Sequence, residues 1–121
     1  MKLAIRSLCT LALFIAAASV TLAHMAVTKT APEDGAILDK APEAVQVWYT
    51  QEPDAAVSKV SLTGPNGDVA LLVHPGKDKS LMGMVKDKDL ADGEYVVKWQ
   101  TSGDDGHIQK GEYKFTLKSS H

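Results

Sequence analysis

The sequence predicts an all-β protein, a sandwich built from seven strands. Hydrophobic and polar residues alternate with a period of two in segments such as 44–50 (AVQVWYT) and 113–118 (YKFTLK), which is typical of strands with one buried face. Clusters of glycine, proline, aspartate and asparagine separate these segments at the spacing expected of a sandwich. Helical periodicity is hard to find after the first 23 residues.

Each strand is predicted between two such turn clusters. In chain order the predicted strands are residues 26–30, 44–50, 57–63, 69–74, 80–86, 94–101 and 111–118. The turns between them are predicted at residues 32–35, 51–53, 64–67, 75–76, 91–93 and 103–106. Residues 90–95 (LADGEY) are similar to the tyrosine corner of immunoglobulin-like sandwiches, which gives Tyr95 a structural role. Trp99 is then expected in or beside the core.

The first 23 residues have the pattern of a cleaved secretory signal. Lys2 and Arg6 precede an uncharged apolar run at 8–22, and residues 21–23 (TLA) offer small residues for a signal peptidase. The run is shorter than the roughly 20 residues of a spanning helix, so an uncleaved anchor is the weaker alternative. Cleavage after Ala23 removes the only cysteine, Cys9, and leaves no thiol for a disulfide or a zinc-thiolate site.

Composition limits the remaining chain to one domain, which we assign to residues 24–121. The full sequence of 121 residues is 45% hydrophobic and 23% charged, an ordinary globular balance. Its net charge of -2 argues against a nucleic-acid partner held by a basic surface.

Counting chain directions predicts which connections share an end of the sandwich. If each connection reverses the chain, His24 lies at the same end as the connections at residues 51–56, 74–79 and 103–109. This end then collects His24, Glu52, His74, Asp105 and His107, so imidazoles and carboxylates are expected close together.

Three of these residues suit a copper ion. A histidine at a new amino terminus offers its α-amine, with an ordinary pKa of about 7.7–8.0, and its imidazole Nδ1 as two donors. His107 adds a third nitrogen and Asp105 an oxygen. Three nitrogens and one oxygen suit tetragonal Cu(II), which also has the highest affinity among the common divalent ions.

Each residue also has a simpler interpretation. Residues 103–106 (GDDG) are typical of a tight hairpin connection. His107 alone would be an ordinary surface histidine, and Glu52 a solvated loop acid. His74 would simply end a strand, and His121 would lie in a flexible tail. The copper hypothesis depends on a combination of two features: a cleavage site directly before His24, and residues 105–107 (DGH) in a connection at the same end.

The sequence resembles the CopC family of periplasmic copper-binding, copper-resistance proteins over nearly all of residues 24–121. The resemblance is carried by His24, by residues 30–35 (TAPEDG), by residues 90–95 with Trp99, and by residues 105–107 (DGH). It implies a seven-stranded Greek-key β-sandwich or barrel, immunoglobulin-like or cupredoxin-like.

The resemblance also implies a function and a site. One Cu(II) ion per monomer would be bound by His24, Asp105 and His107. The protein would be a periplasmic carrier or buffer in copper resistance and homeostasis, not an enzyme. It would contribute either to copper tolerance or to delivery of copper to a CopD-type inner-membrane transporter. It is expected to be a monomer.

The sequence departs from the family pattern in two places. Where the family has Phe-Ser-Glu, residues 49–52 read YTQE, so Glu52 is expected either to contact the metal or to stand behind its ligands. The connection at residues 63–67 contains no methionine or histidine, so no separate thioether site for Cu(I) is expected. Met82 and Met84 share one face of a strand, where packing is the default interpretation.

Two other classes of function stay open on the sequence. An amine and two imidazoles form the copper brace of lytic polysaccharide monooxygenases, so a copper oxidase or oxygenase is chemically conceivable. A metal-free β-sandwich binding module is the other alternative, because a fold alone does not fix a function.

Overall fold

The computed structural model describes residues 25–119, which form two packed β-sheets. The predicted signal at residues 1–23, His24 and His121 lie outside the described residues. The strands are β1 (Val27–Ala31), β2 (Ile37–Leu38), β3 (Ala44–Tyr49), β4 (Lys59–Gly64), β5 (Gly67–Val69), β6 (Leu71–Gly76), β7 (Ser80–Val85), β8 (Gly93–Ser102) and β9 (Ile108–Leu117).

One sheet has four strands in the order β1-β3-β7-β6, and the other has five in the order β2-β9-β8-β4-β5. All pairs are antiparallel except β2 with β9. The longest ladder joins β8 to β9 and ends at the pair Ser102 and Ile108. The chain connection that follows Ser102 therefore emerges at one end of the sandwich.

The core lies between the sheets and follows the predicted alternation. In β3 every second residue is buried, and the same holds at the end of β9. Tyr95 and Phe115 stack in the core with ring centroids 5.3 Å apart, and Tyr49 meets Trp99 edge to face at 5.6 Å. The predicted sandwich is confirmed, and Trp99 is half-buried beside the core as expected.

The tyrosine corner is confirmed in detail. Tyr95 is 1% exposed, and its hydroxyl donates to Ala91 O at 2.5 Å. Gly64 approaches the same ring so closely that a Cβ there would overlap it. This contact ties the turn after β4 to the start of β8.

The prediction of seven strands is wrong, because the residues from 25 to 119 form nine. The two-residue β2 was missed, since Ile37 is 72% exposed and so short a segment shows no alternation. The strand predicted at residues 69–74 is two strands, β5 and β6. Pro75 and Gly76 are not a turn but the end of β6, an edge strand of its sheet, where a missing N–H group is tolerated.

The direction count is confirmed for the segments that the structure describes. Thr50 N donates to Ala26 O at 2.9 Å, and the Lys79 ammonium group donates to Thr50 O at 3.4 Å. Asp54 N, in the connection after β3, donates to Ser102 O at the end of β8, at 3.1 Å. The start of β1 and the connections after β3, β6 and β8 therefore meet at one end.

Among residues 25–119 we find no helix able to cross a bilayer.

Candidate metal centre

The candidate centre is built on the connection between β8 and β9, residues 103–107, which we call the Asp105 loop. Gly106 N donates to Gly103 O at 3.1 Å and closes a turn. Gly106 has φ of 74°, a left-handed conformation that a side chain would strain. His107 N then donates to Asp105 Oδ1 at 3.0 Å, an Asx-type bond that fixes the carboxylate beside the next histidine.

Asp105 and His107 form a close pair of side chains. His107 Nδ1 lies 3.4 Å from Asp105 Oδ2, and the two side chains are 70% and 17% exposed. An imidazole and a carboxylate held at this distance offer one nitrogen and one oxygen to the same ion. The exposed imidazole also gives an incoming ion an open approach.

A side chain from the segment that follows β3 holds the Asp105 loop in place. Asp104 N donates to the amide oxygen of Gln51 at 3.1 Å. Gly103 lies directly against the same amide, where a Cβ would overlap the Gln51 oxygen. The loop is therefore attached to the segment that follows β3. That segment also bonds to the first described residues through Thr50 and Ala26.

Met25 anchors the amino-terminal end of the described chain at this loop. Its side chain is 2% exposed, and its sulfur lies 3.9 Å from Thr101 Oγ1. A Cβ at Gly103 would be only 3.4 Å from the same sulfur. The residue directly after His24 is thus packed against the base of the loop that carries Asp105 and His107.

A small network of hydrogen bonds holds the Thr101 side chain in place. Thr101 Oγ1 lies 2.8 Å from Ser58 Oγ, and the Ser58 hydroxyl donates to Asp54 O at 2.6 Å. Thr101 is fully buried and Ser58 is 9% exposed. Buried hydroxyls that are satisfied in this way make the base of the Asp105 loop rigid.

The structure brings together two of the four predicted site residues, Asp105 and His107. Glu52 is exposed on the segment after β3. Within residues 25–119 no three histidine, cysteine, aspartate or glutamate residues are grouped as metal ligands, so Glu52 does not complete a three-residue group with the pair. His24 lies outside the described residues, and its role and that of Glu52 stay predictions.

Sequence reasoning missed the two residues that position the loop, Gln51 and Met25. On the sequence alone, Gln51 is placed only in a turn and Met25 is given no role. No local pattern identifies Gln51, because its contact joins positions 51 and 104. The apolar character of Met25 directly before β1 was the one available signal for an anchor.

Comparison with known proteins identifies the family. The chain matches the CopC domain over residues 27–118. The chain belongs to the CopC family. Copper resistance protein C of Escherichia coli is 31% identical over 107 residues, a match that covers 80% of this chain and 83% of that protein. Protein YobA of E. coli K12 is 31% identical over 101 residues, covering 79% and 80% of the two chains.

Solved structures of CopC proteins have the same fold. The structure of PcoC, described as a methionine-rich copper resistance protein from E. coli, gives a TM-score of 0.71 at 30% identity, covering 79% of this chain and all of that one. CopC from Methylosinus trichosporium OB3b gives 0.71 at 27% identity, covering 81% and 97%. CopC proteins are copper-binding resistance proteins and not enzymes. The prediction of a non-enzyme is thereby confirmed, and the oxygenase alternative loses its support.

Proposed function

We propose that this protein is an exported carrier or buffer that binds one Cu(II) ion at the end of the sandwich. The ion would be held by the amine and imidazole of His24, by Asp105 and by His107. The observation that carries the proposal is the pair of Asp105 and His107, 3.4 Å apart on the loop whose base packs against the buried Met25. The names of the relatives support copper as the ion, since they are copper resistance proteins.

The anchor at Met25 is what makes His24 available as a ligand. Neighbouring Cα atoms are about 3.8 Å apart along a chain. If the exported chain begins at His24, its first residue is bonded directly to one that packs at the base of the Asp105 loop. An amine and an imidazole on one residue would bind as a chelate and add two nitrogens to the pair.

This donor set favours storage and transfer over catalysis. A tetragonal site that the protein fills with four donors leaves little room for a substrate, so the ion would be cargo. The amine and both imidazoles must lose their protons to bind, so affinity should fall as the pH falls. Delivery to a CopD-type transporter in the inner membrane, from a periplasmic location, is the role that we propose for the bound ion.

The test is a Cu(II) titration of the mature protein, followed by visible d–d absorption. His107→Ala should weaken binding about a hundredfold or more, because even groups that only orient ligands cost 10–100-fold when removed. Asp105→Asn keeps an oxygen for the bond from His107 N but loses the charge, and should cost about tenfold or more by the same comparison. Glu52→Gln should cost less than Asp105→Asn.

The matched control is His74→Ala, which removes another exposed histidine, one that lies within β6. It should leave the Cu(II) affinity unchanged. Equal affinity in the His107→Ala variant and the parent protein would contradict the proposed site.

A metal-free module would also show no copper effect on its melting, whereas Cu(II) at a hundred times its Kd should stabilise the parent by about 2.7 kcal/mol.

A further inference from the structure

A second set of metal-binding side chains lies on the outer face of the four-stranded sheet. Met82 and Met84 alternate along β7 with buried Leu81, Gly83 and Val85, and both are half-buried. In the ladder between β6 and β7, exposed His74 is directly opposite Met82. Directly opposed residues of an antiparallel pair lie on the same face. Two thioethers and one imidazole therefore share one face, and we call these three residues the soft-donor cluster.

The spacing within the soft-donor cluster permits a common ligand. Directly opposed residues have Cβ atoms about 4.5–5.5 Å apart, which applies to His74 and Met82. Met82 and Met84 are two residues apart on one strand, or about 6.8 Å. Methionine has three rotatable bonds, so both sulfurs have the freedom to turn towards an atom near the imidazole.

A backbone contact orients the His74 ring. Its Nδ1 lies 3.0 Å from Pro75 O, and because a carbonyl oxygen only accepts, this contact favours the tautomer with the proton on Nδ1. The lone pair is then on Nε2. Imidazole ligands of metals commonly donate their other N–H group to a backbone carbonyl in this way, which fixes the ring and raises its basicity.

The donors of the soft-donor cluster select the kind of ion. Thioether sulfur is a soft ligand that prefers Cu(I) to hard or borderline divalent ions. In the described part of the chain no group of three histidine, cysteine or acidic residues surrounds His74. Neighbouring positions on the same face are Gln46 and Ala44 of β3 and Leu72 of β6, which are uncharged. A monovalent soft ion suits neutral donors of this type.

We propose that His74, Met82 and Met84 bind one soft monovalent ion, Cu(I) in its biological form, through His74 Nε2 and the two sulfurs. This departs from the expectation of no thioether site, which was based on the connection at residues 63–67 at another place in the fold. The soft-donor cluster shares no ligand with Asp105 and His107. The proposal therefore does not depend on the Cu(II) site.

The experiment uses Ag(I), a soft monovalent ion without redox chemistry, on the mature protein. Methionine methyl signals are followed by proton–carbon NMR. The methyl groups of Met82 and Met84 should shift and saturate at one equivalent, together with the His74 ring, while Met25 stays unchanged. Shifts confined to Met25 or His107, or no saturable shift, would overturn the proposal.

Two variants separate this site from the Cu(II) site. The double variant M82L/M84L conserves volume and should fold normally, and H74Q keeps a polar side chain on the same face. Each should weaken Ag(I) binding about tenfold or more, as expected for the loss of soft or nitrogen ligands, and should leave Cu(II) binding unchanged. His107→Ala should weaken Cu(II) binding and leave Ag(I) binding unchanged. Ag(I) binding of parent strength in both variants would refute the soft-donor cluster.

Discussion

Two hairpin connections of the five-stranded sheet differ in length and in the residues that they carry. Between β4 and β5 the paired residues Gly64 and Gly67 are separated by only two residues, while between β8 and β9 the Asp105 loop has five. The short turn packs against the ring of Tyr95 and has a structural role. The longer loop has residues beyond those needed to reverse the chain, and they carry an aspartate and a histidine. Extra loop length, supported by a buried anchor, therefore distinguishes the connection that carries the proposed site from the structural one.

The largest expected effect on stability comes from the anchor of the longer loop. Met25→Ala removes a side chain that is 2% exposed, so we expect a loss of about 2–5 kcal/mol in the free energy of unfolding. We also expect Cu(II) affinity to fall about tenfold, as for a lost orienting group. Urea unfolding of the metal-free protein and a copper titration measure the two effects.

Two controls separate anchoring from general destabilisation. Met25→Leu conserves volume and should restore both stability and affinity. Leu62→Ala truncates a core residue that is 1% exposed and should destabilise the protein without changing Cu(II) affinity in the folded state. If Leu62→Ala weakened copper binding as much as Met25→Ala, Met25 would have no special role at the site.

A smaller effect is expected from the glycine of each connection. Gly106 has φ of 74° and Gly67 has φ of 108°, with no atom within 4 Å of an added Cβ at either position. Alanine at either position should therefore cost only the backbone strain, about 1–2 kcal/mol. Gly106→Ala should in addition weaken Cu(II) binding, because the turn places Asp105 beside His107. A copper titration in which Gly67→Ala showed the same loss would remove the distinction between the connections.

The smallest effect is expected at the turn packed on Tyr95. Tyr95→Phe removes the bond to Ala91 O and should cost about 1 kcal/mol, with no change in copper binding. Burial, and then the carboxylates of Asp92 and Asp87, raise the pKa of the Tyr95 hydroxyl above its ordinary value. The stability that this neutral hydroxyl contributes is present below about pH 10, the ordinary tyrosine pKa, and is lost as the pH rises through the raised pKa.

Unfolding in urea between pH 8 and pH 11 therefore checks the Tyr95 prediction. The parent protein should lose stability at the alkaline end, and Tyr95→Phe should lose less. Some loss should persist in the variant, since burial also raises the pKa of Tyr49 and Tyr113. A variant with the same alkaline slope as the parent would mean that Tyr95 does not contribute to it.

Local patterns predicted the parts of the fold that local chemistry determines. Alternation identified β3 and β9, the Tyr95 corner followed from six consecutive residues, and Asp105 and His107 lie two residues apart. Contacts between distant positions were not predictable in this way, as with Gln51 and Asp104. Pro75 misled the prediction because its place on an edge strand depends on the order of strands in the sheet.

The turn after β6 shows the same limit. Asp78 and Lys79 have φ of 60° and 63°. Both positions are left-handed, yet neither is a glycine that would have indicated the turn in the sequence. Pro75 and Gly76 are the stronger turn signal in the sequence, so the turn was predicted before its actual position. The pairing of β6 with β7 decided the outcome, since Gly76 is opposite Ser80.

The central claim is that the exported chain begins at His24 and that its amine and imidazole complete the pair in the Asp105 loop. The most direct measurement compares Cu(II) titrations of two chains, one beginning at His24 and one with a single glycine added before it. The first should bind one equivalent, and the second should lose most of the affinity because the chelating amine is no longer on the histidine. Equal affinity and stoichiometry for the two chains would contradict the account.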